Sequence, residues 1–376
     1  MKARASWILA LLGLACAESA GTSPPGKERL ELAPAAATLS ADAASCAIAP
    51  SGLHCWGHRS RMPDLGPSWT PRGRVWSRER RQPFFHVRTN AAPVAVSAGD
   101  GRDRFAGCVV SADGSVECWG SNRDGGLGLG RCGASGGAWG SDGLVPVRLP
   151  HRASAVVTLG ERVCALLEGG RVACWGSVTE GTVGSDHCGP RLVRVGRSPL
   201  QGMKRISIDA GIDSEGGLHV WDEGDAARPL ASDLRFVDVA SAGDARCAIT
   251  TDHRGVCWGA LPIYADDAPR PAHELTARPT PIHGLPRVSR VSCTLNACAA
   301  AGMDGRLYAW GAIGVPGERK EARAAARIGA VSELALGDAG GCARTARGLV
   351  CWGRQLDGLV EGWESDPHPR AVHPER

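Results

Sequence analysis

One string of residues keeps returning along this chain and limits its fold more than any other feature. "VCALLEGGRVACWG" runs from Val163 to Gly176. Close copies are "SCAIAPSGLHCWG" from Ser45, "GCVVSADGSVECWG" from Gly107, "RCAITTDHRGVCWG" from Arg246 and "GCARTARGLVCWG" from Gly341. Two degenerate copies complete the set: "DAGIDSEGGLHVWD" from Asp209 has lost both cysteines, and "ACAAAGMDGRLYAWG" from Ala297 keeps only the first. The landmark tryptophans are Trp56, Trp119, Trp175, Trp221, Trp258, Trp310 and Trp352. They mark seven modules with a period of about 49 residues.

Each copy reads as a short apolar strand, a turn rich in Gly, Asp or Ser, and a second strand ending in Trp, which predicts a β-hairpin. Cysteines ten apart, such as Cys164 and Cys174, pair across a three-residue loop; those nine apart, such as Cys46 and Cys55, need a loop shorter by one. Strand side chains alternate faces, so Cys174 and Trp175 point to opposite sides. The sulfur then clips its own sheet while the indole is expected to pack against the next. A period of 40 to 50 residues built from short strands predicts an all-β propeller, because such sheets bury both faces only by packing around a ring. Aromatic usage agrees: 12 Trp stand beside two Tyr and four Phe, so the chain favours indole specifically.

Around "CALLEGGRVACWG", with "GSNRDGGLGLG" after Trp119 and "VPVRLPHRASAVVTLGERVCAL" beyond it, the chain resembles the regulator of chromosome condensation repeat in a cysteine-rich, exported bacterial form. The resemblance spans residues 34–376 and implies a seven-bladed β-propeller. Family members of known role act by protein contact, as a nucleotide exchange factor for a nuclear GTPase or as a β-lactamase inhibitory protein. It therefore implies a non-catalytic binding scaffold. Departures lie in the short, cysteine-free fourth module and in the long connections after the first two. At the chain ends, "DPHPRAVHPER" resembles the strand that opens a module and "APAAATLSADAASCAI" the remainder of one, so the two are expected to share a single closing blade.

The N-terminal "MKARASWILALLGLAC" carries Lys2 and Arg4 before an apolar run from Trp7 to Ala15, a secretory signal too short to span a bilayer. "GLAC" resembles a lipobox, although Gly13 replaces its usual leucine, and makes Cys16 a candidate for lipidation. Residues 1–16 thus read as a signal peptide, and the small, polar residues 17–33 as a flexible tether. No later segment is apolar enough to cross a membrane. An exported chain, anchored by lipid or free in the periplasm or outside the cell, keeps its cysteines paired.

The chain has 15 cysteines. Five hairpin pairs are expected: Cys46 with Cys55, Cys108 with Cys118, Cys164 with Cys174, Cys247 with Cys257, and Cys342 with Cys351. Cys132 and Cys188 occupy equivalent positions in successive modules and suit a clip between neighbouring blades. Cys293 and Cys298 then pair across "CTLNAC", and Cys16 is left for lipid. Structural zinc sites favour cysteines two to four residues apart, whereas the hairpin gaps are eight or nine residues, so no metal or cofactor is expected.

Catalytic patterns are weak. "GGLGLG" (Gly125–Gly130) lacks the strand before and helix after that a phosphate loop needs and reads as a repeat turn. "VWD" at Val220–Asp222 is drift from Trp-Gly, and Asp266 and Asp267 sit in a Pro-rich stretch that reads as solvated. The distinctive segment follows Trp56. Arg59, Arg61, Arg72, Arg74, Arg78, Arg80 and Arg81 stand against only Asp64 and Glu79, while the whole chain is only +4. Trp69, Trp76, Phe84 and Phe85 lie in or beside this run. Arginine with exposed aromatics is the composition of protein-binding hot spots, and of surfaces for anionic polymers. Export disfavours nucleic acid as its partner. The expectation is a monomeric scaffold binding a protein partner. The rival readings are an exported enzyme acting on polysaccharide or peptide at a propeller face, and an inhibitor of an extracellular enzyme.

Overall fold

The computed structural model describes residues 38–41, 44–57, 85–99, 105–132, 140–177, 187–221, 225–242, 245–259, 276–282, 284–294, 297–311, 323–337, 340–353 and 370–372. They form seven four-stranded antiparallel sheets, each built from consecutive strands. In chain order, the blades are Leu39–Ser40, Ala44–Ala49, Gly52–Gly57 and Phe85–Val87; Pro93–Ala98, Ala106–Ser111, Val116–Ser121 and Gly140–Val147; Ala153–Leu159, Arg162–Leu167, Arg171–Trp175 and Arg191–Leu192. The fourth to sixth are Met203–Ile206, Ala210–Asp213, Leu218–Trp221 and Ala227–Pro229; Phe236–Ala242, Ala245–Thr250, Gly255–Gly259 and Thr276–Pro281; Val288–Cys293, Ala297–Gly302, Arg306–Gly311 and Arg323–Arg327. The seventh is Val331–Gly337, Gly340–Thr345, Gly348–Gly353 and Arg370–Val372. First strands of neighbouring blades meet around the centre, so the fold is a seven-bladed β-propeller.

Each repeated string is the second and third strands of a blade. In the third blade Leu167 lies opposite Arg171, leaving Glu168–Gly170 as the turn, and Cys164 falls opposite Cys174. In the first, Ala49 lies opposite Gly52 and Cys46 opposite Cys55. Direct opposition brings the α-carbons to 4.1 and 4.0 Å, and both pairs are bonded. Cys108–Cys118, Cys247–Cys257 and Cys342–Cys351 are bonded in the same way. Cys293–Cys298 closes the first hairpin of the sixth blade, and Cys132–Cys188 ties the second blade's connection to the third's.

The tryptophans pack in one direction, and it is not towards the next blade. Trp175 enters the second blade's core against Cys108 and Cys118, and Trp221 packs with Cys164 and Cys174 of the third. Likewise Trp119 meets Cys46 and Cys55, Trp56 meets Cys342 and Cys351, and Trp310 meets Cys247 and Cys257. Alternation separates sulfur and indole as read from the sequence, but the indole faces the preceding blade and the disulfide faces the following one. Each clip is therefore also the floor on which its successor's indole sits. Burying about 150–250 Å² per indole at about 25 cal/mol/Å² gives each such contact roughly 4–6 kcal/mol as an upper bound. Within its own blade an indole also crosses its strand partner closely: a Cβ on Gly107, opposite Trp119, would lie 2.2 Å from the Trp119 ring.

The fourth blade lacks cysteine. Ala210 lies opposite Val220 where other blades carry cysteines, and Trp258 packs on both. Ion pairs tie this blade to its neighbours instead. Arg162 of the third blade contacts Asp225 of the fourth at 2.7 Å, with side chains 4% and 3% exposed. Asp209 pairs with Arg246 of the fifth blade at 2.6 Å, and Arg205 with the fully buried Asp238.

Closure differs from the expectation of one shared blade. Leu39–Ser40 pairs within the first sheet and Arg370–Val372 within the seventh, so the ring closes face to face rather than strand to strand. Leu39, Ala47 and Trp56 share one core with Ala335, Cys342, Leu349 and Cys351. Thr38 Oγ1 donates to Glu333 at 2.6 Å, and Arg344 donates to Thr38 Oγ1 at 3.1 Å across the seam. Packing suffices here because both edge sheets are already complete and carry apolar faces.

Candidate interaction face

The blades share one strand order, so every connection between third and fourth strands leaves the same end of the ring. These connections are 58–84, 122–139, 176–190, 222–226, 260–275, 312–322 and 354–369. The opposite end carries only short turns such as 50–51 and 168–170, and links of which 193–202 is the longest. The basic segment belongs to the first group: Gly57 and Phe85 are the strand ends it joins. Arg59, Arg61, Trp69, Arg72, Arg74, Trp76, Arg78, Arg80 and Arg81 lie outside the described residues, as do Cys16 and the segments 1–16 and 17–33.

What anchors this end is visible in the second and third blades. Glu161, in the turn between the third blade's first two strands, is 1% exposed. It accepts hydrogen bonds from the amide of Asp124 at 2.7 Å and of Gly126 at 3.3 Å, and from Ser121 Oγ. Burial pushes its carboxyl above the usual range against these donors. Trp175 Nε1 donates to the Gly126 carbonyl at 3.0 Å, and the Gly130 amide to the Cys188 carbonyl at 2.8 Å. The "GGLGLG" run is thus a turn wrapped over its neighbour. Gly128, at φ 64°, has no room for a Cβ, which would meet Val147 and the Trp175 indole nitrogen at about 3 Å. Burial likewise pushes Asp225 and Asp209 upward, opposed respectively by Arg162 and Arg246.

One feature escapes the sequence motifs, and one motif match is not supported by its flanks. The ion pairs around the fourth blade join residues far apart in the chain and leave no local pattern. "GASGG" (Gly133–Gly137) matches the Gly-x-Ser-x-Gly elbow, which requires a strand before and a helix after. Here Arg131 and Cys132 precede it without strand structure, and the strand Gly140–Val147 follows. Elsewhere, Cys247 Sγ and Cys298 Sγ lie 3.6 Å apart, stacking two disulfides between the fifth and sixth blades. Both sulfurs are already bonded within their own blades.

Fold and face together define a disulfide-stapled propeller that presents its long connections at one end. By sequence, no family model and no curated protein matches the chain. Among solved structures, human WBSCR16 is 21% identical with a TM-score of 0.61, over 83% of this chain and 90% of that one. Yeast RCC1 (Prp20), solved with Kap60, is 18% identical with a TM-score of 0.62, over 94% and 89%. Prp20p from Saccharomyces cerevisiae, described with its binding to Gsp1p and histones, is 15% identical with a TM-score of 0.56, over 80% of each chain. The fold is the seven-bladed propeller of the regulator of chromosome condensation type.

Proposed function

We propose that this chain is an exported, lipid-anchored, non-catalytic propeller that binds a protein partner at the bacterial cell envelope. The observation that carries the reading is that every connection between third and fourth strands leaves one end of the ring, the one from Gly57 to Phe85 among them; on this reading the Arg and Trp of its segment 59–81 contact the partner. A stiff frame with variable loops makes contact surface without a large ordering cost. Seven disulfides support an oxidising compartment. Prp20p, of similar fold, is described as binding proteins.

Affinity capture from the native envelope tests this by comparing wild type with a chain in which residues 59–83 are replaced by a short Gly/Ser link, which spares the strand Phe85–Val87. The expected result is loss of at least one captured protein at unchanged thermal stability. Identical captured sets would sink the assignment. Mass spectrometry of the N-terminal peptide checks for acyl chains on Cys16, and light scattering checks for a monomer.

A further inference from the structure

The disulfides of the fifth and sixth blades touch, and a shift of one strand position is the reason. In the fifth blade Cys247 lies opposite Cys257, and the neighbouring pair is Arg246 with Trp258. In the sixth, the residue opposite Trp310 is Cys298 itself. Moving a cysteine by one position turns its side chain to the other face of the sheet. Cys298 therefore leaves the face used by the hairpin clips and joins the indole on the face that meets the preceding blade. Its bond to Cys293, directly opposite on the first strand, goes with it. The disulfide of the fifth blade faces forward, so the two meet: Cys247 Sγ and Cys298 Sγ are 3.6 Å apart, in one core with Trp310.

Among the described residues, Cys247, Cys293 and Cys298 are the one group of three cysteines whose sulfurs all lie within 4.8 Å of one another. Bonded as disulfides they offer no thiolate to a metal, and the chemistry open to them is exchange. Access is one-sided. Cys247 and Cys257 are 1% exposed and Cys298 is 0% exposed, whereas Cys293 is only half-buried. Cys132 is the other half-buried cysteine. No such cluster surrounds its bond to Cys188, so a thiolate freed there meets no second disulfide.

We propose that Cys293 is a site of modification by small thiols, and that opening its bond passes the crosslink across the blade boundary. The thiolate of the incoming thiol attacks Cys293 Sγ: a mixed disulfide forms there, the Cys293–Cys298 bond breaks, and the electron pair leaves on Cys298 Sγ. Cys298 then attacks Cys247 Sγ at the 3.6 Å contact. The Cys247–Cys298 bond forms, the Cys247–Cys257 bond breaks, and Cys257 leaves as a thiolate that takes up the proton shed by the incoming thiol. One thiol is consumed and one appears, with no net oxidation. Two clips within blades become one bond between blades, with a thiol cap on Cys293. The site stands apart from the insertion 59–81 and does not depend on the partner proposed for it.

Cys293→Ser tests the second step with no added thiol, because it leaves Cys298 unpaired beside the Cys247–Cys257 bond. The full chain is quenched in acid, treated with N-ethylmaleimide in acidic denaturant, digested with pepsin without reduction, and mapped by mass spectrometry. The expected result is maleimide on Cys257 and a peptide pair joined through Cys247 and Cys298. The first step is read on the wild-type chain held with reduced glutathione below its melting temperature. Glutathione should appear on Cys293 together with the same joined peptides, while Cys46–Cys55, Cys108–Cys118, Cys164–Cys174 and Cys342–Cys351 stay closed. This arm decides even where the variant does not fold. Maleimide on Cys298 alone in the folded variant, no glutathione on Cys293 in the wild type, or glutathione there with Cys247–Cys257 still bonded would each overturn the proposal.

Discussion

The buried Arg162–Asp225 pair offers the sharpest test of how the blade without a disulfide is held. Arg162→Met keeps most of the side chain's volume and removes its charge. Removing one partner of a buried pair costs about 3–5 kcal/mol. Arg191, 3.7 Å from the orphaned carboxylate but 42% exposed, recovers part of that. Arg162 also gives up a hydrogen bond to the Gly176 carbonyl at 3.2 Å, worth about 1 kcal/mol. The net expectation is a loss of about 3 kcal/mol at pH 7. Its pH dependence follows from the carboxyl. Burial already holds Asp225 above its ordinary value of 3.8, opposed chiefly by Arg162, so the variant raises it further. A raised carboxyl keeps its proton longer in the folded chain than in the unfolded one. Below pH 3.8 it is neutral in both states and the charge penalty vanishes. As pH climbs through the folded value, the deficit grows to its full size. Urea unfolding followed by tryptophan fluorescence at pH 4, 6 and 8, with disulfides intact, reads this directly. The double variant Arg162→Met/Asp225→Asn, which removes the charge and keeps a residue that tolerates φ 62°, should recover most of the pH 8 loss. An equal deficit at pH 4 and pH 8, or strictly additive single effects, would refute the account.

Ala210→Cys/Val220→Cys should form a further disulfide on oxidation by air, because these residues oppose each other as the native pairs do; the mass should fall by two hydrogen atoms relative to the dithiol, with a gain of up to about 3 kcal/mol. Gly107→Ala drives a methyl into the Trp119 ring and should lower stability by about 2 kcal/mol, read as a lower urea midpoint. Trp175→Phe removes the donor to the Gly126 carbonyl and should cost about 1–2 kcal/mol. Its signature is faster amide exchange across Gly126–Gly130, with the hairpin amides of the second blade unchanged.

The hairpins were readable because their information is local. A nine- or ten-residue cysteine spacing sets the loop, and strand alternation separates Cys174 from Trp175 whatever surrounds them. Seven recurrences then imply a ring, since a sheet with two apolar faces needs two neighbours. The glycine at 107 follows the same logic only in hindsight: it is small because an indole crosses it, which the string alone does not say.

What the tertiary structure decided is everything that depends on which blade lies on which side. Alternation sends indole and sulfur apart but carries no sense of direction, so only the packed ring shows each tryptophan resting on its predecessor's disulfide. Closure by packing, rather than by a shared blade, turns on whether the first and last sheets are already four strands wide. The ion pairs of the fourth blade join residues such as Arg162 and Asp225, or Asp209 and Arg246, whose chemistry exists only once the ring brings them together. Local backbone geometry is written in adjacent residues; the balance of buried charge is a property of neighbours in space.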